Sequence, residues 1–290
     1  MISMGWKVSV SLKDYVNQRS SVSESIDDML IDLSIPSLLE GEMKVVSSAS
    51  SNPGIVGMAY DYAFRWEASR RSRNVIDTGW MADKLRQDPL AKGFLEEAHG
   101  FVDQHVVLDE VAGGHMYELC RHAVRMAHLE GSARTDYPVK HDVGADLPCE
   151  IEDTHLLISR SPFCMIRPGT MLILNPIFPF VAREICRGAD ADIVVGRMLV
   201  DLKTTTNPKV SPSDLRQIVG YHMLGRLCRE REITVCSQWT DKLLPFWPKI
   251  DSLMLYYARY MTGVQLKTSE LEGHPGWPRA YEQFKRGIND

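Results

Sequence analysis

Apolar residues recur at spacings of three and four along much of the first half of the chain. Because an α-helix repeats every 3.6 residues, this spacing predicts helices over residues 54–71, 90–106 and 115–131. Asn52 followed by Pro53 marks the start of the first helix. An Asn side chain can cap free helical amides, and Pro is tolerated at the first helical position.

The second half of the chain has a different pattern. In residues 189–206 polar and apolar side chains alternate, and β-branched residues are frequent around Gly196 and Arg197. This pattern predicts a β-hairpin. Residues 211–230 return to a helical period, with Ser211 as a plausible N-cap. The apolar run 250–261 fits a strand or a buried helix. Long helices are not expected between these halves, where prolines stand at positions 138, 148, 162, 168, 176 and 179. The serine-rich run 45–54 is predicted to be a loop.

These elements predict an α/β fold with a central mixed β-sheet flanked by helices. We expect one domain over residues 1–290, with a mostly helical part at 1–135 and a sheet-containing part at 136–290. The hydrophobic fraction of 44% and the charged fraction of 24% are ordinary for a globular protein, which excludes a disordered or collagen-like chain. The net charge of −5 offers no general attraction to nucleic acid, so any such binding needs a local patch.

The sequence was also searched for membrane spans, signal peptides and paired cysteines. No stretch approaches the roughly 18 apolar residues of a membrane span, and the start has no signal-peptide features. The six cysteines form no CxxC pair, which favours reduced thiols. We therefore expect a soluble cytoplasmic protein without a membrane partner. The histidines lack zinc-ligand spacing.

The hairpin brings chemistry-bearing residues together. If Gly196 and Arg197 form a type II′ turn, Asp192 stands opposite Asp201. Two opposed carboxylates destabilise a sheet, whereas a divalent cation such as Mg²⁺ turns their repulsion into coordination. Lys203 shares the face of Asp201 by the period of two, and Asp190 would face it across the ladder.

The helix that follows adds two more polar groups. Gln217 and Tyr221 stand four residues apart on one face, from which they could reach over the hairpin or toward a ligand. Together with the hairpin residues they suit metal-assisted hydrolysis of a phosphodiester. Lys203 would position or help to deprotonate the attacking water, or stabilise charge on the phosphate.

Asp192, eight residues, Asp201-Leu202-Lys203 and then Gln217-Ile-Val-Gly-Tyr221 resemble the PD-(D/E)XK nuclease superfamily, and the QxxxY segment is similar to its RecB-like branch. The resemblance implies a restriction-endonuclease-like core with an N-terminal helical layer and a DNA substrate. It also implies Mg²⁺ or Mn²⁺ bound by Asp192, Asp201 and the Leu202 carbonyl, with Lys203 catalytic.

Two departures from the family pattern matter. The branch often has a metal-binding histidine three residues after a glycine on an upstream helix, and the segment starting at Gly57 resembles that site with Asp61 as the acidic candidate ligand. Asp61 could equally form an i,i+4 ion pair with Arg65, and Glu67 is the fallback ligand. Ala191 replaces the motif's proline. No cysteine follows Cys236, so no iron–sulfur cluster is predicted.

Several alternatives stay open at this point. A basic cluster could follow a phosphate backbone or form a solvated helix end; it comprises Arg65, Arg70, Arg71 and Arg73. The aromatic segment 256–260 could stack bases or belong to the core. The chain could also be a catalytically silent, nuclease-derived nucleic-acid-binding or adaptor module. Endonuclease and exonuclease activity are not distinguished.

Overall fold

The computed structural model describes most of the chain, and its bounds decide which predictions can be checked. Described are residues 11–18, 20–39, 50, 52–77, 79–135, 147–176, 178, 189–232, 235–236, 243–244 and 247–286. The serine-rich run predicted to be a loop lies mostly outside these residues.

A mixed β-sheet of six strands forms the centre of the fold. The strands in chain order are β1 (Val75–Asp77), β2 (Leu172–Leu174), β3 (Ile193–Val195), β4 (Met198–Lys203), β5 (Val235–Cys236), β6 (Leu243–Leu244), β7 (Ser252–Tyr257) and β8 (Thr262–Lys267). The large sheet has the order β1-β2-β3-β4-β7-β8, and β5 pairs separately with β6. Strands β2, β3 and β4 are antiparallel neighbours, whereas β7 runs parallel to β4.

Helices cover both faces of this sheet. They are α1 (Leu12–Gln18), α2 (Ser20–Asp32), α3 (Pro53–Ser72), α4 (Pro89–His105), α5 (Gly113–Thr135), α6 (Leu147–Ser159), α7 (Pro212–Glu230), α8 (Thr268–Gly273) and α9 (Trp277–Arg286). The predicted α/β class, with a mixed sheet flanked by helices, is therefore confirmed. No helix in the described part of the chain combines the length and apolar character needed to cross a bilayer.

The sheet separates two hydrophobic cores, as the alternation of side chains requires. Val194 and Leu199 face the core that contains residues of α1, α2, α7 and α9. Ile193 and Val200 face the opposite core, formed with α3, α4, α5 and α6. Because each strand pair contributes to both cores, β3 and β4 are covered on both sides.

The predicted hairpin is present in the predicted register. Ile193 pairs with Val200 and Val195 pairs with Met198. Gly196 has φ of 61°, a left-handed value that glycine adopts without a Cβ penalty. Arg197 is not among the described residues with positive φ, which fits the predicted type II′ turn rather than type I′.

The helix predictions are mostly confirmed. Helices α3, α4, α5 and α7 lie where the periodicity placed them, and the Asn52 side chain accepts from the Ile55 amide at 3.4 Å. Ser211 precedes α7 but makes no side-chain capping bond. The run 250–261, left open between strand and helix, contains β7.

The prediction of no long helix in the proline-rich region was wrong. Helix α6 has 13 residues and begins at Leu147, so Pro148 occupies its second position. At that position a proline replaces an amide that would have no partner within the helix. Helices α1 and α2 were also not predicted, because the segment around them has mixed polar character.

Candidate functional site

A cavity of about 180 Å³ lies where the ends of strands β3 and β4 meet helices α3 and α5. Its lining contains three of the four predicted metal ligands, Asp61, Asp192 and Leu202, but not Asp201. The full lining is Gly57, Met58, Asp61, Arg65, Met81, Glu130, Arg134, Asn175, Asp190, Asp192 and Leu202. Residues far apart in the chain therefore share one polar cavity beside the hairpin.

Asp192 is anchored by main-chain groups on both of its neighbouring strands. Its Oδ2 accepts a hydrogen bond from the Leu202 amide at 2.6 Å. Its carbonyl accepts from the Asn175 amide at 2.9 Å, and Asn175 itself has φ of 48°, a region that Asn tolerates better than most residues. The predicted ladder pair of Asp192 with Asp201 is not formed, since β3–β4 pairing ends at Ile193 and Val200. The side-chain bond to Leu202 replaces it.

Asp61 enters the cavity because α3 approaches the end of β4 closely. A Cβ on Gly57 would lie 3.0 Å from the Thr204 Oγ1, so only glycine fits this approach without displacement. Asp61 follows four residues later and faces the same side of the helix. The predicted ion pair with Arg65 is formed at 2.6 Å, and Asp61 also lines the cavity, while its role as a metal ligand stays a prediction.

The carboxylates of the cavity are held close together in a partly dry environment. The pKa of Asp61 is raised to about 6, chiefly by burial. Arg65 opposes this shift, and the charges of Glu130 and Asp190 contribute to it. Burial also raises the pKa of Asp192 well above its ordinary value, followed by the charges of Asp201 and Asp61. A bound cation would relieve this cost of ionisation.

Asp201 and Lys203 form an ion pair next to the cavity. The Lys203 Nζ lies 2.6 Å from Asp201 Oδ2 and 3.5 Å from Asp214 Oδ1. Burial raises the pKa of Asp201, although Lys203 opposes this. Burial disfavours the Lys203 ammonium, yet the charges of Asp201, Asp214 and Asp192 raise its pKa above the ordinary value. Lys203 is therefore a cationic hydrogen-bond donor in this state.

Gln217 and Tyr221 share a helix face, as predicted, and bind each other. The Gln217 Nε2 donates to the Tyr221 hydroxyl at 2.9 Å, and the buried Gln217 Oε1 has no hydrogen-bond partner among the described residues. Burial raises the pKa of Tyr221, and the charges of Asp190, Asp201 and Asp192 add to that shift. The phenol therefore stays neutral close to the acidic residues of the hairpin.

Asp190 lines the cavity but lacks its predicted partner, and Glu67 lies outside the cavity. Asp190 does not pair with Lys203; its carboxylate lies 3.6 Å from Arg134, because the β3–β4 ladder ends before it reaches Asp190. Glu67 does not line the cavity. Six residues after Asp61, it is rotated about 240° around the helix, onto another face.

Glu67 instead organises the end of α3. Its side chain is bound by Arg70, Arg71 and His105. Burial opposes ionisation, but the hydrogen bonds from Arg70, His105 and Arg71 lower the pKa of Glu67 to about 2. With Arg73 bound to Asp109 and Arg65 bound to Asp61, every member of the predicted basic cluster has an acidic partner. The cluster is therefore not an unpaired basic patch.

The aromatic segment belongs to the core. Tyr256 and Tyr257 are buried, and Arg259 makes a buried two-point ion pair with Asp153 at 2.8 and 2.9 Å. The alternative of base stacking by this segment is therefore not supported by its position, since Tyr260 is buried as well.

Sequence reasoning missed three polar residues of the cavity, Glu130, Arg134 and Asn175. Glu130 accepts from the Tyr62 hydroxyl at 2.7 Å and from Arg134 at 2.8 Å. The only signal in the sequence is their i,i+4 spacing, which is also common on solvated helices. Their place in the site depends on the packing of α5 against α3.

The cavity offers the types of ligand that a divalent cation prefers. Asp61 and Asp192 supply carboxylates, and Leu202 lines the cavity beside them. The Asp61 Oδ1 is buried without a hydrogen-bond partner in the described region. Mg²⁺ needs only one or two carboxylates besides water and phosphate oxygens. Within the described residues, no three His, Cys, Asp or Glu side chains are already grouped as a metal centre.

Comparison of the chain with protein-family models, curated proteins and solved structures finds no match. A function for this chain is therefore inferred from the cavity and from the motif resemblance.

Proposed function

We propose that this protein is a Mg²⁺- or Mn²⁺-dependent nuclease that hydrolyses DNA phosphodiester bonds, with a restriction-endonuclease-like core of the RecB-like branch. The observation that carries the proposal is the shared cavity of Asp61, Asp192 and Leu202, together with the Asp201–Lys203 ion pair, whose charges act on the Asp192 carboxyl. Residues from an upstream helix and from both hairpin strands meet there. A solvated strand face would not require buried carboxylates with raised pKa values.

Asp61, Asp192, Asp201 and the Leu202 carbonyl would hold the cation. When bound, the cation would polarise the phosphoryl group and lower the pKa of a water molecule. The Leu202 amide keeps Asp192 in a fixed orientation through the hydrogen bond described above. Asp201 pairs with Lys203, so ligation of the cation by Asp201 would weaken that ion pair.

Lys203 acts as a charged donor in this proposal. Its raised pKa favours orientation of the attacking water or stabilisation of negative charge on the phosphate over removal of a proton. Gln217 and Tyr221 would support the site as a hydrogen-bonded pair, with the unpartnered Gln217 Oε1 as a further acceptor. The free state of Cys120, Cys149, Cys164 and Cys228 supports a reducing cytoplasmic location.

The test is cleavage of linear, circular and single-stranded DNA by purified protein with Mg²⁺ or Mn²⁺. Wild type is compared with Lys203→Ala and Asp201→Ala, and with Lys267→Ala as a matched control on an exposed strand. We expect cleavage by wild type and Lys267→Ala only. Lys203→Ala should still bind Mn²⁺, whereas Asp201→Ala should bind it more weakly.

Each result separates the alternatives. Cleavage of circular DNA would identify an endonuclease, and cleavage confined to linear DNA an exonuclease. Wild-type inactivity on every substrate would favour the silent binding or adaptor module. Equal activity of wild type and Lys203→Ala would show that the assigned residues are wrong.

A further inference from the structure

A second carboxylate contacts the Lys203 ammonium from a different element. The Asp214 Oδ1 lies 3.5 Å from the Lys203 Nζ, and the same oxygen accepts from the Lys13 Nζ at 3.0 Å. The side chains of Lys203 and Asp214 are only 17% and 14% exposed, so water screens their attraction weakly. Asp214 thus links α1, α7 and the end of β4.

We propose that Asp214 is the positioning residue for Lys203, with Lys13 holding Asp214 in place. This inference rests on the proposed nuclease function, because it concerns how the lysine keeps its place when Asp201 binds the cation. Neither Asp214 nor Lys13 belongs to the motif by which the family was recognised.

A bound cation would compete with Lys203 for Asp201. The Asp201 Oδ2 lies 2.6 Å from the Lys203 Nζ, closer than the Asp214 carboxylate does. An oxygen that coordinates a divalent cation has less negative charge left to attract an ammonium. Asp214 stands on α7 and is not one of the proposed metal ligands, so its carboxylate remains available to Lys203 during ligation.

The fold fixes Asp214 for this task. It is the third residue of α7, and its amide donates to the Ser211 carbonyl at 3.0 Å. Helix α1 packs against α7, which brings Lys13 to the same carboxylate oxygen that Lys203 contacts. A purely structural alternative exists, in which Asp214 only complements the positive end of α7. The two roles differ in what happens to Lys203 when the charge of Asp214 is removed.

The experiment compares Asp214→Asn with Asp214→Glu and with Asp27→Asn. Asp27 is a matched control, because it also ties an N-terminal helix to α7, through Arg216 at 2.6 Å, but does not contact Lys203. We expect Asp214→Asn to lower kcat on DNA by about tenfold, the lower end of what loss of an orienting partner costs. KM for DNA and the Kd for Mn²⁺, measured by electron paramagnetic resonance without DNA, should change less than about twofold. Asp214→Glu should recover part of kcat.

A metal-free measurement reports on the lysine directly. The NMR signal of the Lys203 ammonium, assigned by its loss in Lys203→Met, should be visible in wild type and Asp27→Asn. In Asp214→Asn it should broaden, because the ammonium has lost one of its two anchors. A purely structural role would lower the thermal midpoint instead and leave kcat of the folded protein unchanged.

The outcomes distinguish two failures. If wild type cleaves DNA and Lys203→Ala does not, but Asp214→Asn retains the wild-type kcat and the ammonium signal, only this inference is overturned. If wild type cleaves no DNA substrate, the proposed function fails and this inference fails with it.

Discussion

The Leu202 amide donates a hydrogen bond to the Asp192 carboxylate at 2.6 Å, which connects the start of one hairpin strand to the end of the other. The bond leaves the second Asp192 oxygen free of this contact, on a residue that lines the cavity. It also explains how an acidic residue is tolerated beside Asp201. Part of the charge of Asp192 is compensated by a main-chain dipole before any cation binds.

Two replacements of Asp192 should distinguish the effect of its charge on stability from the effect of its hydrogen bond. Asp192→Asn keeps an acceptor for the Leu202 amide, so the metal-free protein should be as stable as wild type or more stable. Asp192→Ala leaves that amide without its partner and should lower the free energy of unfolding by about 1–3 kcal/mol. Urea unfolding at pH 7.5 with EDTA measures both, and Asp251→Asn serves as an exposed control. Both Asp192 variants should lose DNA cleavage; an active Asp192→Asn would remove this residue from the proposed metal site.

Magnesium should stabilise the protein in a pH-dependent way. Burial raises the folded-state pKa of Asp61 from 3.8 to about 6. The stability that this group contributes is therefore present below about pH 4 and is lost as the pH rises through about 6. Cation binding needs the ionised form, so it should compensate for that loss at high pH only.

Thermal unfolding with Mg²⁺ and with EDTA checks this expectation. Magnesium should raise Tm at pH 8 and have little effect at pH 5. Calorimetry of Mg²⁺ binding should give weaker affinity at pH 5 than at pH 8. An equal rise of Tm at both pH values would contradict the role of Asp61.

The close approach of α3 to β4 should be sensitive to one methyl group. In Gly57→Ala the new Cβ would lie 3.0 Å from the Thr204 Oγ1, so Thr204 or helix α3 must move by a few tenths of an ångström. In Gly54→Ala, on the same helix, the nearest atom is 3.8 Å away. We expect Gly57→Ala to lose DNA cleavage several-fold and Gly54→Ala to gain about 0.5–1 kcal/mol of stability from helix propensity.

The double variant Gly57→Ala/Thr204→Ala tests the cause of that loss. Removal of the Thr204 hydroxyl should make room for the methyl group and restore cleavage relative to Gly57→Ala. Activity assays on all four proteins, including Thr204→Ala alone, give the coupling between the two positions. Additive effects would show that the contact does not set the position of α3.

Arg259 should be a major contributor to stability beneath the site. It binds both oxygens of buried Asp153 and donates from Nε to the Thr204 carbonyl at 2.7 Å, directly after Lys203. Arg259→Met leaves Asp153 as a buried charge and should cost about 3–5 kcal/mol in chemical denaturation. The exposed pair of Arg197 with Asp251 gives the control, since Arg197→Met should cost at most about 1 kcal/mol. Similar losses for both variants would contradict this ranking.

The sequence alone predicted those features that depend on residues close together in the chain. The hairpin register followed from Gly196 and the alternation around it, since a two-residue turn fixes every later pair. The start of α3 followed from Asn52 and Pro53, because helix capping also depends on only a few neighbouring residues. The predicted juxtaposition of Asp61 with the hairpin is seen as shared lining of one cavity, while the catalytic and metal-binding roles stay predictions.

The sequence was insufficient where packing between distant segments decides the structure. Glu130 and Arg134 enter the cavity only because α5 packs against α3. Asp214 reaches Lys203 through the placement of α7 across the end of β4, which its own helical period does not determine. The direct pairing of Asp192 with Asp201 was expected from an ideal ladder, but the chain leaves that ladder one residue earlier.

Strand β4 carries Asp201, Leu202 and Lys203 directly after the segment 198–200, which is paired with β3 on one side and with β7 on the other. Central strands of this kind open only in the rarest, most costly fluctuations of a native fold, and their amides exchange hydrogen most slowly. The groups of the proposed site therefore stand directly beside the part of the molecule that is expected to unfold last. Partial denaturation that affects only the periphery should leave the proposed site in place.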